Sequence, residues 1–155
     1  MKKRSLKENI IAAVAKRMVV TIDEAPRIVE LAKPLSECKV AFITTSGPHL
    51  KWDEPFNVKG DHTCRMIPGD ARTEDIMITH DHYDHKDADQ DLNCVFPLEM
   101  LHKLVEQDRI GSVAPHHYGL MGYIPKVHLL RQETAPAIAK QLVEDQVDLA
   151  LLSPG

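Results

Sequence analysis

Two apolar runs, rich in β-branched and aliphatic residues, govern what this chain can fold into. Lys39–Thr45 reads KVAFITT and closes on Ser46-Gly47-Pro48, and Val147–Leu152 reads VDLALL and closes on Ser153-Pro154-Gly155. Neither alternates polar with apolar residues, as a strand with one wet face would. Strands of this kind need cover on both faces, and the intervening segments supply it. Leu98, Leu101, Leu104 and Val105 fall on one side of a helix predicted over Leu98–Asp108, and a second helix is predicted over Thr134–Asp145. Strands alternating with helices give an α/β fold: three layers, with a mostly parallel sheet and helices on both faces.

Weaker signals fill the frame. Asp61–Ile67 reads as an edge strand, Asp75–Thr79 as a second buried strand, and Ile110–Ala114 as a short strand followed by a His116–Gly119 loop. Gly119-Leu-Met-Gly122 reads as a turn. Ahead of these, helical spacing covers Lys7–Met18, and a second helix starts near Thr21 or Asp23 and runs to about Lys33, where Pro34 ends it. The organisation expected is an N-terminal helical segment over 1–38 and an α/β domain over 39–155. In open parallel sheets the site lies beyond the carboxyl ends of the strands. That rule collects His49, the segment from His80 to Asn93, His117 with Tyr118, and Ser153-Pro154-Gly155 along one edge.

Composition excludes several functions. The net charge is −4 and the basic residues are dispersed, which leaves no footprint for nucleic acid. The apolar run Ile10–Ala15 is six residues long, too short for a signal peptide, and nothing approaches a membrane span. Cys38, Cys64 and Cys94 form no CxxC pair, which favours a reduced, cytoplasmic protein. Cys94 reads as a buried thiol and Cys64 as an exposed one.

The densest chemistry is Thr79–Asn93, THDHYDHKDADQDLN, with three histidines and five aspartates. His80, His82, Asp84 and His85 spell HxHxDH, the metal motif of metallo-β-lactamases, and imidazole and carboxylate at this spacing can ligate zinc. The plainer reading is a polar loop whose histidines cap and hydrogen-bond. The zinc-hydrolase reading needs an antiparallel sandwich and later histidines in glycine-rich settings, and His116, His117 and His128 do not sit in such settings.

Longer phrases point elsewhere. TTSGPHLKWDEPFN (Thr44–Asn57), GDHTCRMIPGD (Gly60–Asp70), HYDHKDADQDLNCVFP (His82–Pro97), APHHYGLMGY (Ala114–Tyr123) and ETAPAIAKQLVEDQVDLALLSPG (Glu133–Gly155) together resemble the selenoprotein B subunits of glycine, sarcosine, betaine and D-proline reductases, most of all the D-proline type. The resemblance implies reductive cleavage of a C–N bond in a small amino-acid substrate. It implies a partner subunit bearing a pyruvoyl group, and a selenocysteine or cysteine as nucleophile. This chain would itself carry neither cofactor nor metal. The family places its nucleophile directly after the phrase matching LLSPG, so the residue expected after Gly155 is that selenocysteine or cysteine. Selenocysteine is encoded by UGA, which otherwise reads as stop. The chain is therefore expected to be a UGA-ended part of a longer subunit, lacking its attacking atom and inactive by itself. An edge strand left open in this way would invite a homo-oligomer. Within the matching phrases the candidate catalytic residue is His117, as proton donor, and the candidate substrate-binding residues are His49, His82, Asp84, Asn93 and Tyr118. Asp61 and Arg65 are expected to pair structurally. A non-catalytic assembly module docking the pyruvoyl subunit is the remaining alternative.

Overall fold

A computed structural model describes Arg27 and residues 29–154. The chain divides into two units, Met1–Glu30 and Leu31–Gly155, and the account below concerns the second. The predicted helix over Lys7–Met18 lies outside the described residues. So does the start of the second predicted helix, and its expected end is corrected: Val29–Lys33 are not helical, and Leu35–Glu37 form a single 3₁₀ turn.

The KVAFITT run forms the central strand β1, Lys39–Thr44, of the main sheet. Six further strands follow in chain order: β2 (Pro48–Leu50), β3 (Cys64–Pro68), β4 (Ile76–Ile78), β5 (Ser112–Val113), β6 (His116–Leu120) and β7 (Leu149–Ser153). β7 lies parallel along one edge of β1, from Val40↔Leu149 to Thr44↔Ser153. The other edge of β1 meets β5 and then β6, both parallel, at Val40↔Val113 and Ile43↔Tyr118. β3 adds an antiparallel edge to β6, as the edge-strand reading anticipated. The main sheet is therefore mostly parallel.

The β5–β6 lane is broken at Ala114-Pro115. The partner of β1 advances by two residues between Val40↔Val113 and Ile43↔Tyr118. Proline has no N–H and cannot sit in a regular ladder. Before the break Ala114 N–H donates to the Val40 carbonyl at 2.9 Å. At the break the Phe42 N–H donates at 2.8 Å to Nδ1 of His117, a side chain standing in for a strand carbonyl. His117 is wholly buried. The HHYG phrase, expected as a loop, is instead this interior strand, because its alternation carries one buried imidazole inward on one face and Tyr118 on the other. The Gly119–Gly122 turn is corrected likewise, since Gly119 and Leu120 belong to β6.

Alternation along β1 sorts the core. Val40 and Phe42 join Ile67, Leu98 and Leu101 on one face. Tyr118 and Leu120 meet Ile138 on the other, with Ile43 and Cys64 against them. Four short or medium helices follow: α1 (Lys86–Gln90), α2 (Leu98–Glu106), α3 (Val127–Leu129), and α4 (Ala135–Glu144), with a π-helical turn Leu130–Thr134 joining the last two. α2 covers the first face and α4 the second, so the three-layer expectation holds. β4 departs from expectation. It pairs antiparallel with β2 as a separate two-stranded sheet, outside the main one. β2 passes so close to β6 that a Cβ on Gly119 would come within 1.9 Å of the Pro48 carbonyl oxygen. β7 leaves Leu152 largely exposed at 75%. The expected Asp61–Arg65 pair forms at 3.7 Å, and the Arg65 guanidinium also lies 4.4 Å over the Phe56 ring. Among the described residues no helix is long and apolar enough to cross a membrane.

Gly119→Ala should destabilise the fold by at least about 2 kcal/mol, because backbone rather than a flexible side chain blocks the added methyl; a wild-type midpoint in urea unfolding would refute the close approach. Burial, reinforced by the nearby His102 and His116, lowers the His117 pKa from 6.5 to about 4. The unfolded chain then binds a proton below pH 6.5 that the folded chain refuses until about pH 4. Stability should be unaffected by this group above pH 6.5 and fall by up to about 3 kcal/mol as pH drops to 4. His117→Gln, whose carbonyl can accept the Phe42 N–H, should flatten that slope when unfolding is followed across the same pH range.

Candidate functional site

The carboxyl ends of β1, β6 and β7 are tied together by backbone hydrogen bonds. Thr45 N–H reaches the Ser153 carbonyl at 3.2 Å, Gly47 N–H the Leu120 carbonyl at 2.9 Å, and Thr79 N–H the Gly47 carbonyl at 3.0 Å. Gly47 has φ +79°, and a Cβ there would lie 2.5 Å from the Thr79 carbonyl oxygen. Only glycine meets both demands, a left-handed backbone and contact with the next loop. Beneath this junction the hydroxyls of Thr44 and Ser46 are buried and bonded to each other at 2.9 Å.

Onto this edge β4 delivers the start of the His/Asp segment. His80 is only 7% exposed. Its Nδ1 accepts the His82 N–H at 3.1 Å, so in the neutral ring Nε2 carries the proton, and that buried Nε2 has no hydrogen-bond partner among the described residues. A Cβ on exposed Gly122 would lie 2.6 Å from it. Burial, with a smaller push from His82, lowers the His80 pKa, while Asp81 pulls the other way. Tyr83 lies 4.6 Å from the His80 ring and its hydroxyl donates to the Ser46 carbonyl at 3.0 Å. His82 is exposed, donates from Nε2 to the Val58 carbonyl at 3.0 Å, and packs against Tyr123 at 5.0 Å. The result is two imidazoles and two phenols at the strand ends, with the Nε2–H of His80 left without an acceptor among the described residues.

The residues singled out from sequence do not all meet here. His82 belongs to the cluster. His49 is buried on β2, bonded by Nδ1 to the Leu50 carbonyl and by Nε2 to the Thr79 hydroxyl, both at 2.8 Å, and so touches the cluster only through Thr79. Asp84 is exposed and pairs with Lys86 at 3.4 Å. Asn93 lies inside a 3₁₀ turn that Asp91 caps, its N–H and Nδ2 both donating to Asp91 Oδ1 at 3.0 Å. His117 sits in the core under α2, edge-on to Phe96 at 6.0 Å, with Nε2 unpartnered. Tyr118 lies on the opposite face, its buried hydroxyl unpartnered and its pKa pushed up by burial to about 12. His117 and Tyr118 therefore do not stand at the strand ends, as the single-edge reading required. Sequence reasoning weighed His80 only as a zinc ligand and gave Tyr83 no role, though both stand at this junction. Their signal was position: His80 is the second residue beyond a strand end, in the densest polar segment.

The zinc reading finds no support in this geometry. Among the described residues no three His, Cys, Asp or Glu side chains are placed to hold a metal ion. His80 keeps its Nε2 unpartnered but has no second ligand beside it among the described residues, His82 bonds the Val58 carbonyl, Asp84 pairs with Lys86, and His85 turns to Asp89 at 2.9 Å. Cys94, expected buried, is exposed; Cys64 is half-buried, with its thiol pKa raised by burial, and Cys38 is fully buried. A wide cleft of about 990 Å³ runs between β4 and α1, lined by Lys51, Arg72, His85 and Asp89, but His80 is not among its walls. In an NMR titration the His80 ring should stay in the Nε2-protonated neutral form at neutral pH and protonate at lower pH than an ordinary histidine. A His80 midpoint above 6.5 would contradict its burial.

Comparison with known proteins places these features. The chain is 36% identical over 146 residues to the D-proline reductase subunit gamma of Acetoanaerobium sticklandii, covering 94% of this chain and 60% of that protein. It thus spans about 60% of that relative's length. No solved structure matches the chain. The family model for glycine/sarcosine/betaine reductase selenoprotein B matches residues 13–154, which takes in every strand described above. On that match, the chain belongs to the glycine/sarcosine/betaine reductase selenoprotein B family.

Proposed function

We propose that this chain forms part of a B-type subunit of an amino-acid reductase of the D-proline type. The reaction is reductive cleavage of the Cα–N bond of D-proline: the C–N bond breaks, the carbon and the nitrogen each gain a hydrogen, and a dithiol is oxidised to a disulfide. The amine is held as a Schiff base on a pyruvoyl group of a companion subunit, and a selenocysteine or cysteine attacks the activated carbon. In this reading that nucleophile follows the LLSPG phrase, and the activity requires it.

One observation carries the proposal. The register Thr44↔Ser153 and the Thr45–Ser153 hydrogen bond bring the tip of β7 to the same strand-end junction that His80, His82 and Tyr83 occupy. A nucleophile emerging after LLSPG would therefore meet substrate beside a ready donor and aromatic walls. Membership of the reductase family and the similarity to a D-proline reductase subunit support the same chemistry. Three free cysteines among the described residues fit a reducing, cytoplasmic setting.

Native protein isolated with its companion subunits, supplied with a dithiol, should open the ring of D-proline to a linear amino acid. It should turn over glycine, sarcosine and betaine at least tenfold more slowly. Mass spectrometry of the native subunit should find selenocysteine or cysteine after Gly155. Absence of that residue, or turnover of none of the four substrates, would overturn the assignment.

A further inference from the structure

The unpartnered Nε2 of His80 is the strongest loose end in the site. A buried N–H with no acceptor forfeits its hydration without replacement, and native structures keep few of them without a reason. Its two neighbours are informative. Nδ1 is committed to the His82 N–H, which fixes the ring's orientation and leaves the proton on Nε2. Gly122, directly over Nε2, is exposed, so the donor lies one glycine beneath the surface in a segment, Met121–Lys126, that forms neither helix nor strand. Any side chain at 122 would press on Nε2.

We infer that His80 Nε2 is the hydrogen-bond donor for the carboxylate of the substrate, uncovered when the Gly122 segment shifts on binding. This deepens the reductase reading and rests on it. The chemistry selects a monoanion. The titratable groups acting on His80 are Asp81, His82 and His85; none is a lysine or arginine and Asp81 is anionic, so a phosphate dianion would meet repulsion with nothing to compensate it. A carboxylate needs less: one neutral donor gives it a short charge-assisted bond. Tyr83 and Tyr123 offer ring faces for the rest of a small zwitterion, since a cationic nitrogen is attracted to such faces. A carboxylate donor would also serve every substrate in the family's name alike, because glycine, sarcosine and betaine differ only at nitrogen.

The test is an NMR titration of the full chain, observed at the His80 ring nitrogens, with acetate, D-proline and pyrrolidine as probes. Acetate and D-proline should shift the His80 signals saturably and raise its protonation midpoint, because an anion beside the ring favours the imidazolium. Pyrrolidine, which has the amine and ring without the carboxylate, should leave them unmoved. Gly122→Ala and His80→Phe should each weaken D-proline binding at least tenfold, with circular dichroism and a cooperative unfolding transition showing that Gly122→Ala remains folded. If His80→Phe fails to fold, the wild-type titration and Gly122→Ala decide. The inference fails if carboxylates at tens of millimolar leave His80 unmoved, if pyrrolidine acts as acetate does, or if Gly122→Ala binds as well as wild type. Reductase turnover with a silent His80 sinks this inference alone, whereas a responsive His80 without turnover sinks the reductase reading alone.

Discussion

The sheet depends on one substitution of partners, the Phe42 N–H bonded to an imidazole where a strand carbonyl belongs. β1 touches every other lane of the main sheet except β3, so any defect along it is felt throughout. Pro115 opens such a defect, and an unfilled Phe42 N–H at the centre of the core would be a serious cost. His117 closes it with an atom that must stay unprotonated to accept. Burial keeps it so, and the same burial makes the repair sensitive to acid. Fold and titration are thus one problem at this position.

The repair explains what could be read in the sequence and what could not. KVAFITT and VDLALL do not alternate polar with apolar residues, and they became neighbouring parallel strands paired at five positions. HHYG carries a strand's alternation, but its inward residue is a histidine whose partner is a backbone N–H seventy-odd residues away in sequence. No local pattern announces that. β4 illustrates a different limit. Three residues, IMI, cannot tell a parallel from an antiparallel neighbour, and pairing with β2 followed from the Gly47 turn rather than from their own character. α1 was hidden because KDADQ offers a single apolar residue, Ala88, to the core. The dense His/Asp segment was found, yet the part of it that reaches the strand-end junction is its first residues, where β4 stops. The aspartates that drew attention mostly cap turns or face solvent.

At the strand ends, backbone rather than side chains does the organising. Three hydrogen bonds and one left-handed glycine bring three loops within reach of one another. Side chains then add little charge: a neutral imidazole, an exposed histidine and phenolic rings. Such a site suits recognition of a small zwitterion better than stabilisation of a large developing charge. That accords with the proposal above, in which a companion subunit's pyruvoyl group and a selenolate or thiolate would carry the electronic work.

The break at Ala114-Pro115 has one more consequence, which concerns how the lane tolerates changes in length. The extra two residues are an even number, so side chains on β6 keep the inward and outward assignments that β5 began. Val113 and His117 stay on one face, and Tyr118 stays on the other. A single added residue would reverse that parity, thrusting Tyr118 against α2 and His117 beneath α4. Length variation at this point is therefore quantised: pairs of residues can enter or leave, and odd numbers cannot.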